Sequence, residues 1–175
     1  MKNKKSLIRY AAAGILTTVF LVFLDQWTKY LAVEYLAGQP DRVLIPGIMN
    51  LHYLENRGAA FGMLQDQQIF FIVITSLFLL LPAVLFFKIP RTRRMLPLHA
   101  VAVGILAGGL GNLIDRVRQR FVVDFFETAF MEFPVFNVAD IYVTVSFAVL
   151  ILLIFFKYKE EDFDFLSFRR REEKS

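Results

Sequence analysis

Four runs without Asp, Glu, Lys or Arg divide this chain and limit what it can fold into. They are residues 10–24, 69–87, 95–114 and 141–156. A helix needs about 20 apolar residues to cross a hydrocarbon core of about 30 Å. The second and third runs are long enough, whereas the first and fourth, with about 15 and 16 residues, reach only about 22 to 24 Å. To span a membrane, those two helices must continue through Asp25 and Asp140.

The composition also favours a membrane protein. Hydrophobic residues make up 57% of the 175, whereas soluble domains contain about 45 to 50% even when glycine is counted. The basic residues before the first run resemble the start of a cleavable signal peptide, but no small-residue cleavage site follows and three more apolar runs remain. We therefore expect one all-α, polytopic membrane domain over residues 1–175. The expected spans are 8–31, 68–88, 95–115 and 138–157.

The distribution of basic residues predicts the orientation of these spans. Most of the 20 Lys and Arg lie before the first span, between the second and third, and after the fourth. Cytoplasmic segments of membrane proteins are enriched in Lys and Arg. We therefore expect both termini to be cytoplasmic, with a tail at 158–175, and the loops at 32–67 and 116–137 to be extracytoplasmic.

The two outer loops differ from simple linkers. Residues 41–64 alternate in part between apolar and polar side chains, with turn signals at Pro46-Gly47 and at 56–58, which predicts a small extracytoplasmic β-sheet. Residues 121–136 are rich in Phe. Because aromatic side chains favour the interface between water and lipid, we expect this segment to lie on the membrane surface.

Few chemistries other than carboxylate chemistry are available to the chain. It has no Cys, which excludes a cysteine nucleophile, a thiolate metal site and a lipidated cysteine on the protein itself. Ser76 and Ser146 lie inside spans, without a Lys or His at a spacing that could activate them. His52 and His99 are the only histidines and form no recognised metal motif. We expect no metal and no cofactor.

Two of the carboxylates near the membrane boundary have local partners in the sequence. Carboxylates at this depth are costly and each one requires an explanation. Lys29 follows Asp25 by four residues, which is the favourable order for an ion pair along a helix. Asp115 adjoins Arg116, so an ion pair at a helix end or a capping role would explain it.

A stripe of small and polar residues runs along the third span. Gly104, Gly108 and Gly111 share a helix face, and close packing of another helix would explain them. Asn112, Asp115 and Arg116 continue the stripe at the spacing i, i+3 and i+4. Packing alone does not require these polar groups.

Neither Asp124 nor Asp140 is followed by a basic residue at the i+4 position. Burial raises the pKa of a carboxyl group, and a neighbouring carboxylate raises it further in one of the two. Such a pair can share a proton, one acting as a base toward water and the other as an acid toward a leaving group. The pair would form if the Phe-rich loop folded over the outer end of the fourth span. Alternatively, Asp124 is a surface residue, and Asn137 and Asp140 cap the fourth helix. The spacing of these residues does not distinguish the proton-sharing pair from this alternative.

Five motifs occur in order along the chain: DQWTK at 25–29, NRGAAF at 56–61, GGLGNLIDR at 108–116, VVDF at 122–125 and FNVAD at 136–140. Together they resemble the bacterial lipoprotein signal peptidases, also called signal peptidase II. The resemblance implies a four-helix, inner-membrane aspartic endopeptidase with a small extracytoplasmic sheet. Such enzymes cut the signal peptide from diacylglyceryl-modified prolipoproteins just before the lipidated cysteine. The resemblance covers roughly residues 25–144, and the flanking segments inherit nothing from it.

The resemblance also implies roles for individual residues. Asp124 and Asp140 match the catalytic pair. The residues that match substrate-binding or supporting positions are Asp25, Lys29, Asn56, Asn112, Asp115, Arg116 and Asn137. Expected partners are the prolipoprotein substrates, membrane lipids and cyclic peptide inhibitors of the globomycin type, with no nucleic acid, and the protein is expected to be a monomer.

A proton-coupled transporter is the main alternative, because Asp residues inside membranes also serve as proton relays. A transporter would carry ionisable groups at mid-membrane or on both sides. Here they concentrate on the outer side, the second span has no charge, and no inverted repeat is evident. A subunit that only packs helices together would leave the Asn, Asp and Arg cluster unexplained.

Overall fold

Helices dominate the fold. A computed structural model describes residues 2–58, 64 and 67–166 of the chain. The main elements are α1 (Lys2–Leu36), β1 (Arg42–Ile45), β2 (Met49–Asn56), α2 (Gln68–Lys88), α3 (Leu96–Gln119), β3 (Val122–Thr128) and α4 (Val138–Phe156), with short 3-10 helices at Arg93–Met95 and Glu160–Leu166. Within this part of the chain, four segments are long and apolar enough to cross a membrane: Leu7–Leu36, Gln68–Lys88, Arg93–Gln119 and Val138–Phe156. The predicted four-span fold is confirmed, although α1 continues to Leu36.

Helix α3 is the centre of the bundle and packs against the other three helices. In the most apolar 18-residue stretch of this span, 56% of the residues are buried inside the protein. The corresponding stretches of the other three spans are only 6% to 17% buried. The large apolar side chains of α1, α2 and α4 are therefore mostly exposed, among them Leu16, Leu80 and Phe155. A helix with apolar side chains all round its surface is typical of a membrane span.

The glycine stripe of α3 allows two helices to approach closely. A Cβ atom at Gly104 would overlap Ser146 of α4, and one at Gly108 would overlap the carbonyl oxygen of Ala139. At Gly111 a Cβ atom would overlap the Asp25 carboxylate of α1. The packing role predicted for these glycines is confirmed.

A three-stranded antiparallel sheet in the order β1-β2-β3 covers one end of the bundle. The strands β1 and β2 lie within the range predicted for a sheet, but the third strand comes from the Phe-rich segment that was expected only on the membrane surface. Val123 and Phe125 of β3 are buried against Ala32 and Leu36 of α1. The sequence VVDFF does not alternate because the strand is buried along most of its length, and such strands lack the period of two.

The opposite end of the bundle is closed by part of the predicted tail. Phe163 and Phe165 of the last 3-10 helix pack near a buried cluster that contains Ile89, Met95 and Tyr158. The remainder of the tail predicted at 158–175, from residue 167 onward, lies outside the described residues. So do residues 59–61 of the NRGAAF motif.

Candidate active site

Asp124 and Asp140 line the same cavity, which has a volume of about 400 Å³ and lies between the sheet and the bundle. Asp124 lies in β3 and Asp140 in the first turn of α4. The cavity is lined by Asn56, Gly58, Arg116, Asp124, Phe133, Pro134, Val135, Phe136, Asp140, Ile141, Thr144 and Val145. The Phe-rich loop therefore brings the two carboxylates to one place, as one of the two sequence hypotheses required.

The capping hypothesis for Asn137 and Asp140 is also confirmed. Asn137 is the N-cap of α4; its backbone N–H donates to Asp140 Oδ2 over 3.1 Å, and the Asp140 N–H donates to Asn137 Oδ1 over 3.1 Å. This capping box satisfies two backbone donors at the start of the helix. The other half of the alternative is wrong, because Asp124 is only 1% exposed and is not a surface residue. Capping therefore holds Asp140 in place beside the cavity that it lines.

Two asparagine amides connect the two carboxylates, and a third binds Asp124. Asn137 Nδ2 donates to Asp124 Oδ1 over 2.6 Å and to Asn112 Oδ1 over 3.1 Å. Asn112 Nδ2 donates to Asp140 Oδ1 over 2.8 Å. Asn56 Nδ2 donates to Asp124 Oδ2 over 2.8 Å. Because buried polar atoms need partners, these amides fix the orientation of both carboxylates.

Lys29 is the centre of a buried ionic cluster behind this pair. Its Nζ lies 3.0 Å from Asp25 Oδ2, 2.9 Å from Asp115 Oδ2 and 2.9 Å from Asn112 Oδ1. The predicted Asp25–Lys29 pair is confirmed. Asp115 is paired with Lys29 of α1 rather than with its neighbour Arg116, because the Arg116 side chain lines the cavity.

The two carboxylates of this cluster also bind backbone groups beside the cavity. Asp25 Oδ1 accepts a hydrogen bond from the N–H of Ala139 over 2.9 Å, one residue before Asp140. Asp115 Oδ2 accepts one from the N–H of Val123 over 3.3 Å, one residue before Asp124. The cluster therefore positions the backbone directly before Asp140 and directly before Asp124.

Arg116 supplies positive charge to the cavity. Its guanidinium lies over the Phe71 ring, 5.0 Å from the centroid, and its Nη2 makes a long hydrogen bond of 3.4 Å to the carbonyl of Gly58. Its buried Nε has no hydrogen-bond partner within the described part of the chain. The side chain is therefore held by stacking and keeps donor capacity for a bound molecule.

Burial and charge together raise the pKa of Asp124 to about 7. The largest cause is desolvation, because the buried carboxyl group loses hydration in its charged form. The negative charge of Asp140 adds to the increase, and the hydrogen bonds from Asn56 and Asn137 oppose it. At neutral pH the pair can therefore hold a proton on Asp124, which is what joint acid and base chemistry requires.

Two glutamines that contact residues next to the site were not predicted from sequence. Gln26 Nε2 donates to Asp115 Oδ1 over 2.9 Å, and Gln68 Nε2 donates to the carbonyl of Arg57 over 2.5 Å. Gln26 directly follows Asp25 within a motif, and that adjacency was the available signal. Gln68 and the apolar wall formed by Ile141 and Val145 carry no comparable sequence signal.

One group of side chains outside the cavity has the composition of a metal site. Within the described ranges, the ligand atoms of Asp41, His52 and Glu127 lie within 4.8 Å of one another. None of the three lines the cavity. The sequence prediction did not bring these residues together.

Comparison with known proteins identifies the family. The peptidase A8 family, described as signal peptidase (SPase) II, matches residues 17–156. This chain belongs to the signal peptidase II family. The match includes every residue assigned to the site from the sequence.

Individual relatives agree with this membership. The lipoprotein signal peptidase of Streptococcus pyogenes serotype M2 (strain MGAS10270) is 41% identical over 149 residues, which is 85% of this chain and 95% of that protein. The lipoprotein signal peptidase of Streptococcus thermophilus (strain CNRZ 1066) is 42% identical over 142 residues, covering 81% and 90%.

A solved structure of a bacterial membrane enzyme is similar to this signal peptidase II family member in fold. It superimposes with a TM-score of 0.73 at 32% identity, covering 85% of this chain and 93% of the other. A second such structure gives 0.72 at 33% identity, with 84% and 95% covered.

Proposed function

We propose that this chain is a lipoprotein signal peptidase that removes the signal peptide from diacylglyceryl-modified prolipoproteins by cleaving before the lipidated cysteine. Family membership supports an aspartic peptidase over the transporter alternative. The observation that carries the proposal is that Asp124 and Asp140 line one cavity at the end of a membrane helix bundle. A substrate anchored in the bilayer reaches such a site without leaving the membrane.

In this proposal Asp140 is the base that activates water. It lies in the first turn of α4, where the helix dipole stabilises negative charge. Donors from Asn112 and the Asn137 backbone hold both of its oxygens. Water attacks the carbonyl carbon of the scissile peptide bond, and one of its protons passes to Asp140.

Asp124 is the acid in this proposal, because burial raises its pKa to about 7, so that a substantial fraction of the molecules carry its proton at neutral pH. As the carbon–nitrogen bond breaks, the Asp124 proton passes to the leaving nitrogen. The proton gained by Asp140 then returns to Asp124, which restores the starting state. Arg116 donates to the oxygen of the tetrahedral intermediate, where negative charge develops.

The apolar wall of the cavity suits the membrane-anchored part of the substrate. Ile141, Thr144 and Val145 follow one another at the spacing i, i+3 and i+4 and so form a continuous face of α4. Phe133 and Phe136 lie on the Phe-rich loop at the same cavity. We assign this wall to the signal-peptide chain and the lipid next to the cleaved bond.

The remaining expectations concern the setting of the enzyme. We place it in the cytoplasmic (inner) membrane of a bacterium with both termini in the cytoplasm, which the distribution of Lys and Arg supports. Membrane lipids surround the exposed apolar faces, and cyclic peptides of the globomycin type would bind in the cavity. We expect a monomer, because all the proposed catalytic groups come from one chain.

The decisive experiment compares lipidated and unlipidated prolipoprotein as substrates in detergent. Asp124→Asn and Asp140→Asn should each lower turnover of the lipidated substrate by about 10²-fold or more, since each removes one proton-transfer role. Glu132→Gln, which changes an exposed carboxylate outside the cavity, should retain normal turnover. Normal turnover by either Asp variant would contradict the assignment of Asp124 and Asp140 as the catalytic pair. Equal cleavage of both substrates would contradict the requirement for a lipidated cysteine.

A pH profile tests which carboxyl group holds the proton. If protonated Asp124 is the acid, kcat/KM should fall as the pH rises through about 7, the pKa of Asp124. Protonation of the pair should reduce activity at low pH, which gives a bell-shaped curve whose midpoints belong to the pair. A profile that stays flat up to pH 9, with chemistry rate-limiting, would contradict this assignment.

A further inference from the structure

A second group of polar side chains lies on the sheet outside the cavity, and each member lies in or next to a different strand. Asp41 directly precedes β1, His52 lies in β2, and Glu127 lies in β3. One ligand atom from each residue lies within 4.8 Å of the other two.

Strand pairing places these side chains together. Arg42 of β1 is opposite Leu51 of β2, so Asp41 and His52 are neighbours in the antiparallel register. Glu127 of β3 is opposite Asn50, which lies two residues before His52 on the same sheet face because side chains alternate along a strand. The arrangement therefore follows from the backbone of the sheet.

The donor set is suitable for a divalent cation that accepts both nitrogen and oxygen ligands. One imidazole nitrogen and two carboxylate oxygens are ligands that Zn²⁺ accepts, commonly with water in a fourth position. His52 Nδ1 lies 2.7 Å from Asp41 Oδ1. The carboxylates of Asp41 and Glu127 supply the negative charge that a divalent cation requires.

The neighbouring side chain supports the same geometry. Asn50 Nδ2 donates to Glu127 Oε2 over 3.1 Å and so restrains the Glu127 carboxylate. Hydrogen bonds of this kind orient ligands in metal sites. An ion pair between His52 and Asp41 involves only those two residues, whereas a bound cation would also use Glu127.

We propose that Asp41, His52 and Glu127 form a Zn²⁺ site on the sheet, separate from the peptidase cavity. The ion would join all three strands at one point. Because β2 ends at Asn56 and β3 contains Asp124, the bound ion would stiffen the sheet that carries two of the cavity residues. The proposal does not depend on the peptidase assignment.

Binding of Zn²⁺ alone tests the site. The full chain, prepared without a polyhistidine tag and treated with a chelator, is titrated with ZnCl₂ in detergent by calorimetry, and its thermal unfolding is followed with and without the ion. We expect one Zn²⁺ per chain and a higher Tm when Zn²⁺ is bound, because an ion that binds the folded state stabilises it.

Three variants separate this site from unspecific binding. His52→Ala and Glu127→Gln should each weaken Zn²⁺ binding at least about tenfold, as the loss of a direct or orienting ligand does, and should abolish the increase in Tm. Glu132→Gln is the matched control and should bind Zn²⁺ like the unchanged chain. The absence of saturable binding, or equal binding by all variants, would overturn the proposal. Peptidase activity is not a readout, so failure here leaves the proposed function intact.

Discussion

An aspartate at each end of the helix bundle, outside the spans, shows how the environment sets the charge of one residue type. At the sheet end, burial raises the pKa of Asp124 to about 7. At the other end, the Arg94 guanidinium lowers the pKa of Asp162 to about 2, with hydrogen bonds of 2.8 and 2.6 Å. The Asp124 carboxyl group can hold a proton near neutral pH, whereas the Asp162 carboxyl group is an anion there and forms a surface contact.

The ionic contacts around these two residues differ in the same way. Lys29, Asp25 and Asp115 are at most 5% exposed in their side chains, whereas the Arg94 side chain is 50% exposed. Buried charges are costly without partners, and removal of one partner is strongly destabilising. Exposed pairs contribute little. We therefore expect the sheet end to be sensitive to substitution and the other end to be tolerant.

The largest expected effect is that of Lys29→Met. This change leaves the carboxylates of Asp25 and Asp115 buried without their cation, and loss of a buried partner costs about 3 to 5 kcal/mol. Turnover should also fall, because these carboxylates hold Ala139 and Val123 beside the proposed catalytic pair. Unfolding in detergent and a cleavage assay measure both effects. Arg118→Met, an exposed change on α3, is the control, and equal stability of the two variants would contradict the role of Lys29.

The next effect is a pH dependence of stability that originates from Asp124. Its pKa is about 7 in the folded protein and 3.8 in the reference state, so the folded state binds this proton more tightly. The contribution to stability is complete below pH 3.8 and is lost as the pH rises through about 7. Relative to Asp124→Asn, the unchanged chain should lose up to a few kcal/mol between pH 4 and pH 8. The free energy of unfolding of both proteins is measured in detergent as a function of pH. If the two curves are parallel, Asp124 is not the group responsible for the pH dependence.

A smaller effect is expected from Gly111→Ala. Alanine is intrinsically better than glycine in a helix by about 1 kcal/mol, but its Cβ atom would overlap the Asp25 carboxylate. Overpacking of this kind costs about 1 to 3 kcal/mol, so we expect net destabilisation and lower turnover. Val117→Ala, at an exposed position of α3, provides the comparison. A stabilised Gly111→Ala variant with normal turnover would show that Asp25 can move without consequence.

The smallest effect is expected from Asp162→Asn at the other end. Exposed ion pairs contribute little, and the Phe163 contact with the Tyr158 ring remains. The Tm should fall by less than about 2 °C, with unchanged turnover. A decrease as large as that of Lys29→Met would remove the distinction between the two ends.

The sequence predicted much of the fold because the membrane restricts the possible structures. Charge-free runs located the four spans, and the i,i+4 spacing identified the Asp25–Lys29 pair. The capping role of Asn137 and Asp140 was also readable, since N-caps depend on local sequence. The site residues taken from the five motifs lie together at one end of the bundle, and their catalytic roles remain a proposal.

Other features depend on contacts between distant segments. Strand β3 pairs with β2 although about 70 residues separate them, and its buried side chains do not alternate. Asp115 forms its ion pair with Lys29 of α1, although Arg116 is adjacent to it in sequence. Asp41, His52 and Glu127 match no short metal motif because they come from three separate segments of the chain.

The sequence by itself therefore determined that this chain crosses a membrane four times and carries polar groups at one end of its spans, because apolar length and local spacing are properties of the chain alone. Tertiary structure decided that Asp124 is buried and lines the same cavity as Asp140. It also decided which residues restrain the two carboxylates and that the pKa of Asp124 is raised. Burial and charge–charge distances exist only after the helices and the sheet have packed together.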